Sequence, residues 1–391
     1  MNHPAAPADT IALPLAPPVV VSALPQTARV LHVINGEHYS GAERVQDLLG
    51  GYLPACGYAA GFACVKPDRF PLARKFAGAP LYETPMRSRL DRSCGRRVAQ
   101  LVRDEGYQLL HAHTPRSLLV ASQAAQLTGV PLVYHVHSPA GRDSTRTLVN
   151  RLNLWTERRC ARRAARLIAV SDSVREYMID QGFARDRVAC VPNGVPGIDV
   201  PPRTATPAAW TLGMVALFRP RKGVETLLEA LAAVRSTGVN MRLRAIGPFE
   251  TTDYEDQVLA LADRLGLADA VDWIGFASDI AGELAQIDVL VLPSLFGEGL
   301  PMVVLEAMAA AVPVVASRVE GIPTAIRHDV DGLLVEPGSV SQLAAALEEL
   351  AAGRHDYPAM SKSAQLRHAA KFSAEIMAQR TAVIYDEVLG R

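Results

Sequence analysis

The stretch Val289-Leu290-Val291-Leu292-Pro293-Ser294-Leu295-Phe296-Gly297-Glu298-Gly299-Leu300-Pro301-Met302-Val303-Val304-Leu305-Glu306-Ala307-Met308-Ala309-Ala310 changes its period once. Its first four residues are apolar without alternation, which reads as a strand buried on both faces and ended by Pro293. Glycines flank Glu298. A helix is expected from near Pro301, because proline is tolerated in a first helical turn, where its missing N–H has no partner to lose. Strand, short loop and helix make half of a βαβ unit, so the sheet is parallel and carries helices on both faces. The free N–H groups at such a helix start suit an anion, phosphate in particular. Glu298 and Glu306 frame that start, and carboxylates accept hydrogen bonds from vicinal sugar hydroxyls. Taken alone, the two glutamates read more simply as a solvated loop residue and a helix residue making a surface pair.

The same alternation runs both ways from this stretch. Upstream strands are expected at Val30–Ile34, Gly61–Val65, Leu109–His113, Pro131–Val136, Arg166–Val170 and Val188–Val191. A proline-rich run from Pro196 to Pro207 interrupts the pattern. Strands are expected again at Leu212–Leu217, Met241–Ile246, Val271–Gly275, Asp288–Leu292, Pro313–Ala316 and Leu333–Val335. The chain therefore reads as two doubly wound α/β domains, residues 29–196 and 211–372. A flexible tail (1–28) precedes them, a linker (197–210) joins them, and a C-terminal helix (373–391) is expected to cross back to the first domain. Ligands of such sheets bind beyond the carboxyl ends of the strands, so residues just after strands carry the most information.

Composition narrows the class. Of 391 residues, 49% are hydrophobic and 20% charged. No apolar run approaches the roughly 18 residues of a membrane span, which excludes an integral membrane protein. Cys56, Cys64, Cys94, Cys160 and Cys190 are odd in number and scattered, which argues against a disulfide scaffold and for a cytoplasmic protein. Zero net charge conceals an asymmetry: residues 1–200 hold 24 Lys+Arg against 16 Asp+Glu, and residues 201–391 the reverse. Arginine is the default cation, since only Lys66, Lys75, Lys222, Lys362 and Lys371 are lysines.

One of those lysines follows a strand. Met214-Val215-Ala216-Leu217-Phe218-Arg219-Pro220-Arg221-Lys222-Gly223 places a basic turn at the mouth of the second sheet, where cations can neutralise a diphosphate. In the first half, Ser40-Gly41-Ala42-Glu43-Arg44 follows the first strand, and a glycine there permits close backbone approach. Two His-x-His pairs, His111/His113 and His135/His137, end successive strands with each pair on one face. Four histidines raise the question of zinc, but no suitably spaced Asp, Cys or Glu accompanies them and no metal is expected. His111 and His135 are expected to pack with a satisfied ring N–H.

These motifs together resemble the retaining GT-B glycosyltransferases of family 4, from about Arg29 to the C-terminus. The most specific element is Phe-Gly-Glu-Gly-Leu-Pro followed by Glu-Ala-Met-Ala. The resemblance implies two Rossmann-like domains facing a cleft and a nucleotide-sugar donor held mainly by the second. It places Glu298 beside the transferred sugar, with Gly299 and Leu300 in the same loop, Glu306 on the ribose hydroxyls and Lys222 on the diphosphate. Leu217 stands where the family usually carries an arginine, so Arg219 or Arg221 is expected to substitute. Ser40-Gly41-Ala42-Glu43 resembles the family's Gly-Gly-Ala-Glu loop, with Ser40 for the first glycine. His137, in Tyr-His-Val-His-Ser-Pro, is expected to contact the donor sugar, and His113 with Ser40 to line the acceptor pocket. Val191-Pro192-Asn193-Gly194-Val195 matches the family at the end of the acceptor domain.

Arginines interleaved with Leu148, Leu152, Leu154 and Trp155 crowd the stretch from Arg142 to Arg166. Such a helix can lie on an anionic membrane surface or simply present a solvated face. The expected activity is transfer of a sugar to a saccharide or lipid-linked saccharide acceptor of an envelope or exported polysaccharide. The resemblance implies no metal requirement; no nucleic-acid partner is expected, and the site of action is expected to be cytoplasmic or peripheral at the inner membrane. The rivals are a GT-B epimerase, a His-x-His metal-dependent hydrolase and an inert sugar-nucleotide binding protein.

Overall fold

The computed structural model describes residues 27–88, 91–138 and 155–391. The expected tail and the first part of the Arg142–Arg166 stretch lie outside these residues, except that Ala28 already belongs to the first strand. Strands β1 (Ala28–Ile34), β2 (Tyr58–Cys64), β3 (Leu81–Glu83), β4 (Leu109–Ala112), β5 (Leu132–Val136), β6 (Arg166–Ala169) and β7 (Val188–Cys190) form one sheet, in the order β3-β2-β1-β4-β5-β6-β7. Strands β8 (Trp210–Val215), β9 (Met241–Ile246), β10 (Val271–Gly275), β11 (Val289–Leu292), β12 (Val314–Ser317) and β13 (Gly332–Val335) form a second, in the order β10-β9-β8-β11-β12-β13. Every pairing is parallel.

Each strand is buried where its sequence is continuously apolar; Val289 to Leu292 are at most 1% exposed. β3 escapes the sequence pattern because it is three residues long, sits at the sheet edge and leaves all its residues partly or fully exposed. Trp210, expected in the linker, opens β8 and packs edge-on against Tyr357 at 5.2 Å. Both sheets wind outward from their first strand and then resume on its other side. The loops after β1 and β4, and after β8 and β11, therefore part to opposite faces and open a crevice at the carboxyl ends.

The two crevices face each other. The buried side-chain amide of Asn193 donates to the Leu300 carbonyl at 2.9 Å across the junction, and one apolar cluster runs from Val33 and Val136 to Leu300, Met302 and Val304. Gly299 is needed for this closeness: a Cβ there would collide with the His137 carbonyl oxygen. The chain end contributes as well. Val195 and residues 372–374 exchange backbone hydrogen bonds at 2.9 and 3.0 Å, and helix Ala374–Leu389 lies against the first sheet with Tyr58 bonded to Asp386. No helix among the described residues is long and apolar enough to cross a membrane.

Candidate active site

A cavity of about 540 Å³ fills the junction. Ser40, Gly41, His137, Arg219, Arg221, Lys222, Glu298, Gly299, Leu300 and Glu306 all line it. The topology explains the convergence. Ser40 and Gly41 follow β1 and His137 follows β5; Lys222 follows β8 and Glu298 follows its neighbour β11.

On the second domain's wall, Glu298 is buried and receives hydrogen bonds from the Lys222 ammonium and from Ser294 Oγ at 2.6 Å. The Gly297 and Glu298 backbone N–H groups donate to Glu320 at 3.0 and 3.1 Å, which fixes the loop. Burial pulls the Lys222 pKa below that of a free lysine, Glu298 partly restores it, and Arg221 and Arg219 lower it again. Three cations thus share one mouth. Arg221 donates to the Phe296 and Gly297 carbonyls at 3.2 and 2.9 Å, bracing the loop, whereas Arg219 lies 3.4 Å from Glu250. Leu217 is 40% exposed and gives the cavity an apolar patch. Pro301 is the N-cap of helix Met302–Ala309, and Glu306 rises from that helix to pair with Arg44 of the first domain.

The first domain's wall begins with helix Gly41–Tyr52. Its capping box satisfies the start: Ser40 Oγ donates to Glu43 at 2.8 Å, and the Ser40 N–H donates to the same carboxylate at 3.3 Å. A Cβ on Gly41 would meet only Met302 Cγ at 3.8 Å, an ordinary contact. Nothing in the chain demands a glycine there; the space it leaves is cavity.

Behind this wall stand five histidines. His32 on β1 lies in register with His111 on β4, and the rings of His111/His135 and of His135/His137 are stacked at 5.4 and 4.4 Å. His113 does not reach the cavity, contrary to the sequence expectation: it is 1% exposed. Its Nε2 lies 2.9 Å from His32 Nδ1 and its Nδ1 lies 3.3 Å from His137 Nε2. It lies against His137 from below, because it directly follows β4, the central strand, whereas His137 follows β5, one strand further out. His111 finds the Tyr385 hydroxyl at 2.6 Å, whereas the ring nitrogens of His135, expected to be satisfied, have no partner among the described residues. Burial drives all five pKa values down, to about 3 for His32 and His137. For His111, His113 and His135 neighbouring imidazoles add to it. Two overlapping trios, His32/His111/His113 and His113/His135/His137, bring ligand atoms within 4.8 Å of one another. Nitrogen donors alone would suit zinc or copper, but neither trio includes a carboxylate to offset a buried dication.

Sequence reasoning left several cavity residues without a role. Arg44 was in plain sight one turn inside its helix, and only the cross-domain pair reveals its direction. Phe276, 80% exposed, and Ile280 line the cavity on the second domain's side from the segment after β10, where no local motif marks them. His32 is a lone histidine in an apolar strand, and its neighbours come from strands about 80 residues away.

Two family models cover most of the chain: Glycosyltransferase Family 4 over residues 39–196 and Glycosyl transferases group 1 over residues 204–367. A D-inositol 3-phosphate glycosyltransferase of Thermobispora bispora is 32% identical over 73% of this chain and 72% of that protein. An exopolysaccharide phosphotransferase of Streptomyces coelicolor is 30% identical over 58% of this chain, which spans only 24% of that longer protein. The crystal structure of Anabaena Alr3699/HepE in complex with UDP superposes with a TM-score of 0.81 at 22% identity, over 92% of this chain and all of that one. With its two facing parallel-sheet domains, the chain belongs to glycosyltransferase family 4 and is a glycosyltransferase of GT-B fold.

Proposed function

We propose that the enzyme transfers a sugar from a nucleotide-sugar donor, with retention of anomeric configuration, to a saccharide or lipid-linked saccharide of an envelope or exported polysaccharide. The pairing of Lys222 with Glu298 in a cavity lined by both domains carries the reading. In transfer, the bond from the anomeric carbon to the diphosphate breaks and one to an acceptor hydroxyl forms on the same face. The hydroxyl proton leaves on the departing phosphate oxygen, so no strong enzymic base is needed. Lys222, aided by Arg219 or Arg221 and the helix start at Met302, offsets the charge growing on the diphosphate. These cations take the place of a divalent metal. Glu298 holds the donor sugar and Glu306 the ribose. The His137 ring borders the sugar on the first domain's side, and His113 acts on the acceptor only through it. The complex of Anabaena Alr3699/HepE with UDP supports a nucleotide donor, and the Streptomyces coelicolor relative's description supports a polysaccharide product.

Thermal-shift measurements with UDP, GDP and ADP sugars test the donor class, since a ligand stabilises by RT ln(1 + [L]/Kd). Transfer that persists in EDTA, with an axial or equatorial product bond matching the donor's, is the expected result. Inversion, or loss of activity on chelation, defeats the mechanism.

The arginine-rich stretch supports reversible membrane contact in a reduced form. The described helix there spans 155–161, so Arg162 and Arg163 fall in the turn beyond it rather than on its face. Trp155 is 63% exposed, while Arg158 donates to the Gln181 carbonyl at 2.8 Å. Arg159, Arg162 and Arg163 are the exposed cations, each worth about 1 kcal/mol near anionic lipid. Binding to anionic but not neutral vesicles at low salt, lost when these three become glutamine, is expected. Indifference of the native protein to anionic vesicles removes the membrane from the account.

A further inference from the structure

Two hydrogen-bonded cation–carboxylate pairs have both members in the cavity lining, and they differ in reach. Lys222 and Glu298 belong to one domain; Arg44 and Glu306 cross from one domain to the other. All four side chains are largely withdrawn from solvent, at 12%, 6%, 30% and 11% exposed respectively. A nucleotide sugar would bring a diphosphate dianion and two sets of hydroxyls into this space. Lys222 and Arg44 are each already paired with a carboxylate, and each of those carboxylates already has its donor. A buried carboxylate stripped of its cation is costly unless other donors replace it, and the same holds for a buried guanidinium stripped of its anion. Ribose hydroxyls are donors for Glu306, and the diphosphate is the anion for Arg44. The geometry favours the exchange. Arg44 rises from the helix that starts at Gly41, and Glu306 from the one that starts at Met302. These two helix starts lie one side chain apart, since a Cβ on Gly41 would touch Met302 Cγ. An anion between two helix N-termini meets positive ends on both sides.

We propose that Arg44 is a diphosphate-binding residue contributed by the first domain and held in reserve by Glu306, which releases it when ribose hydroxyls take the carboxylate. The proposal rests on the reading of Glu306 as the ribose acceptor. It gives the first domain its own cation for the leaving group, and it makes recognition of ribose and of diphosphate cooperative. Arg44 is planar and bidentate, suited to a carboxylate in one state and to phosphate oxygens in the other.

Calorimetry on the full chain with UDP, GDP and ADP and with the matching nucleosides tests it, using native protein, Arg44→Gln and Arg44→Lys. Glutamine should weaken the diphosphate about tenfold or more while leaving the nucleoside unchanged or tighter, because Glu306 is freed. Lysine should recover part of the diphosphate affinity. Equal weakening of nucleoside and diphosphate by glutamine would mean that Arg44 only positions Glu306, and no weakening of either would remove it from the site; both results overturn the proposal. If Arg44→Gln proves unfolded by circular dichroism, the lysine variant decides: a diphosphate affinity equal to native, with unchanged nucleoside affinity, contradicts the need for the guanidinium fork. Should the native protein bind none of the three diphosphates, the nucleotide-sugar reading itself fails and Arg44's role falls with it.

Discussion

The two walls of the cavity solve the problem of burying polar groups in opposite ways. The second domain's wall sets charge against charge: Lys222 on Glu298, with Arg221 clamped on loop carbonyls. Arg44 aside, the first domain's side of the cavity is backed by neutral polar groups: five imidazoles at the sheet's end, of which His137 lines the cavity, held uncharged by burial. A wall of paired charges can trade partners with a charged ligand. A wall of neutral rings keeps its shape and adds no charge of its own. The difference predicts that the first wall governs stability against pH and the second governs turnover.

Acid should break the comparison most strongly. His32 and His137 titrate near 3 in the folded protein and near 6.5 when unfolded, so between those values the unfolded chain binds more protons. Stability is then complete above about pH 7 and falls as pH drops through 6.5 toward 3. Between pH 7.5 and 5 each such histidine costs about 2 kcal/mol, so these two alone give about 4. Urea unfolding across that range measures it, and His135→Phe should flatten part of the slope. A level profile would mean that the cluster is already charged in the folded state.

Lys222→Ala comes next. It should lower kcat/KM by roughly 10²-fold, about 2.7 kcal/mol, through both kcat and KM, because ground-state and growing charge lose the same cation. Steady-state kinetics with the donor varied reads this directly. Unchanged kinetics would detach Lys222 from the diphosphate.

Where the walls meet, Gly299→Ala probes their contact. The added Cβ must push the His137 backbone away, and an expected loss of about 2 kcal/mol in unfolding free energy matches overpacking elsewhere. Gly41→Ala, with only Met302 Cγ nearby, should leave stability unchanged while impairing donor binding. Equal destabilisation by both would deny that the cavity borders Gly41.

The smallest expected effect separates the glutamates. Glu306→Gln should weaken a nucleoside diphosphate about tenfold, in the range of a lost charge-assisted hydrogen bond, whereas Glu298→Gln should spare it and impair transfer. Calorimetry with the diphosphate alone, set against transfer rates, distinguishes them. Equal loss of diphosphate affinity in both variants contradicts the assignment.

Period and punctuation in the sequence were enough for the two parallel sheets, because a buried parallel strand must be apolar throughout and its loop must carry the glycines and prolines that end it. They were also enough to place Lys222, Glu298 and Ser40-Gly41 just beyond strand ends, where the fold exposes its loops, and Glu306 in the helix that follows one of them. Three things were decided only in the folded chain. β3 is too short and too exposed to write a pattern. His113 differs from His137 by burial alone, since both follow strands in identical His-x-His settings, and only the depth of β4 in the sheet sends one inward. Arg44 and Glu306 are 262 residues apart, and no local spacing encodes a pair made by the closure of one domain on another. Local residues fix which segments become strands and helix starts; which charges meet is fixed by how the two sheets are brought face to face.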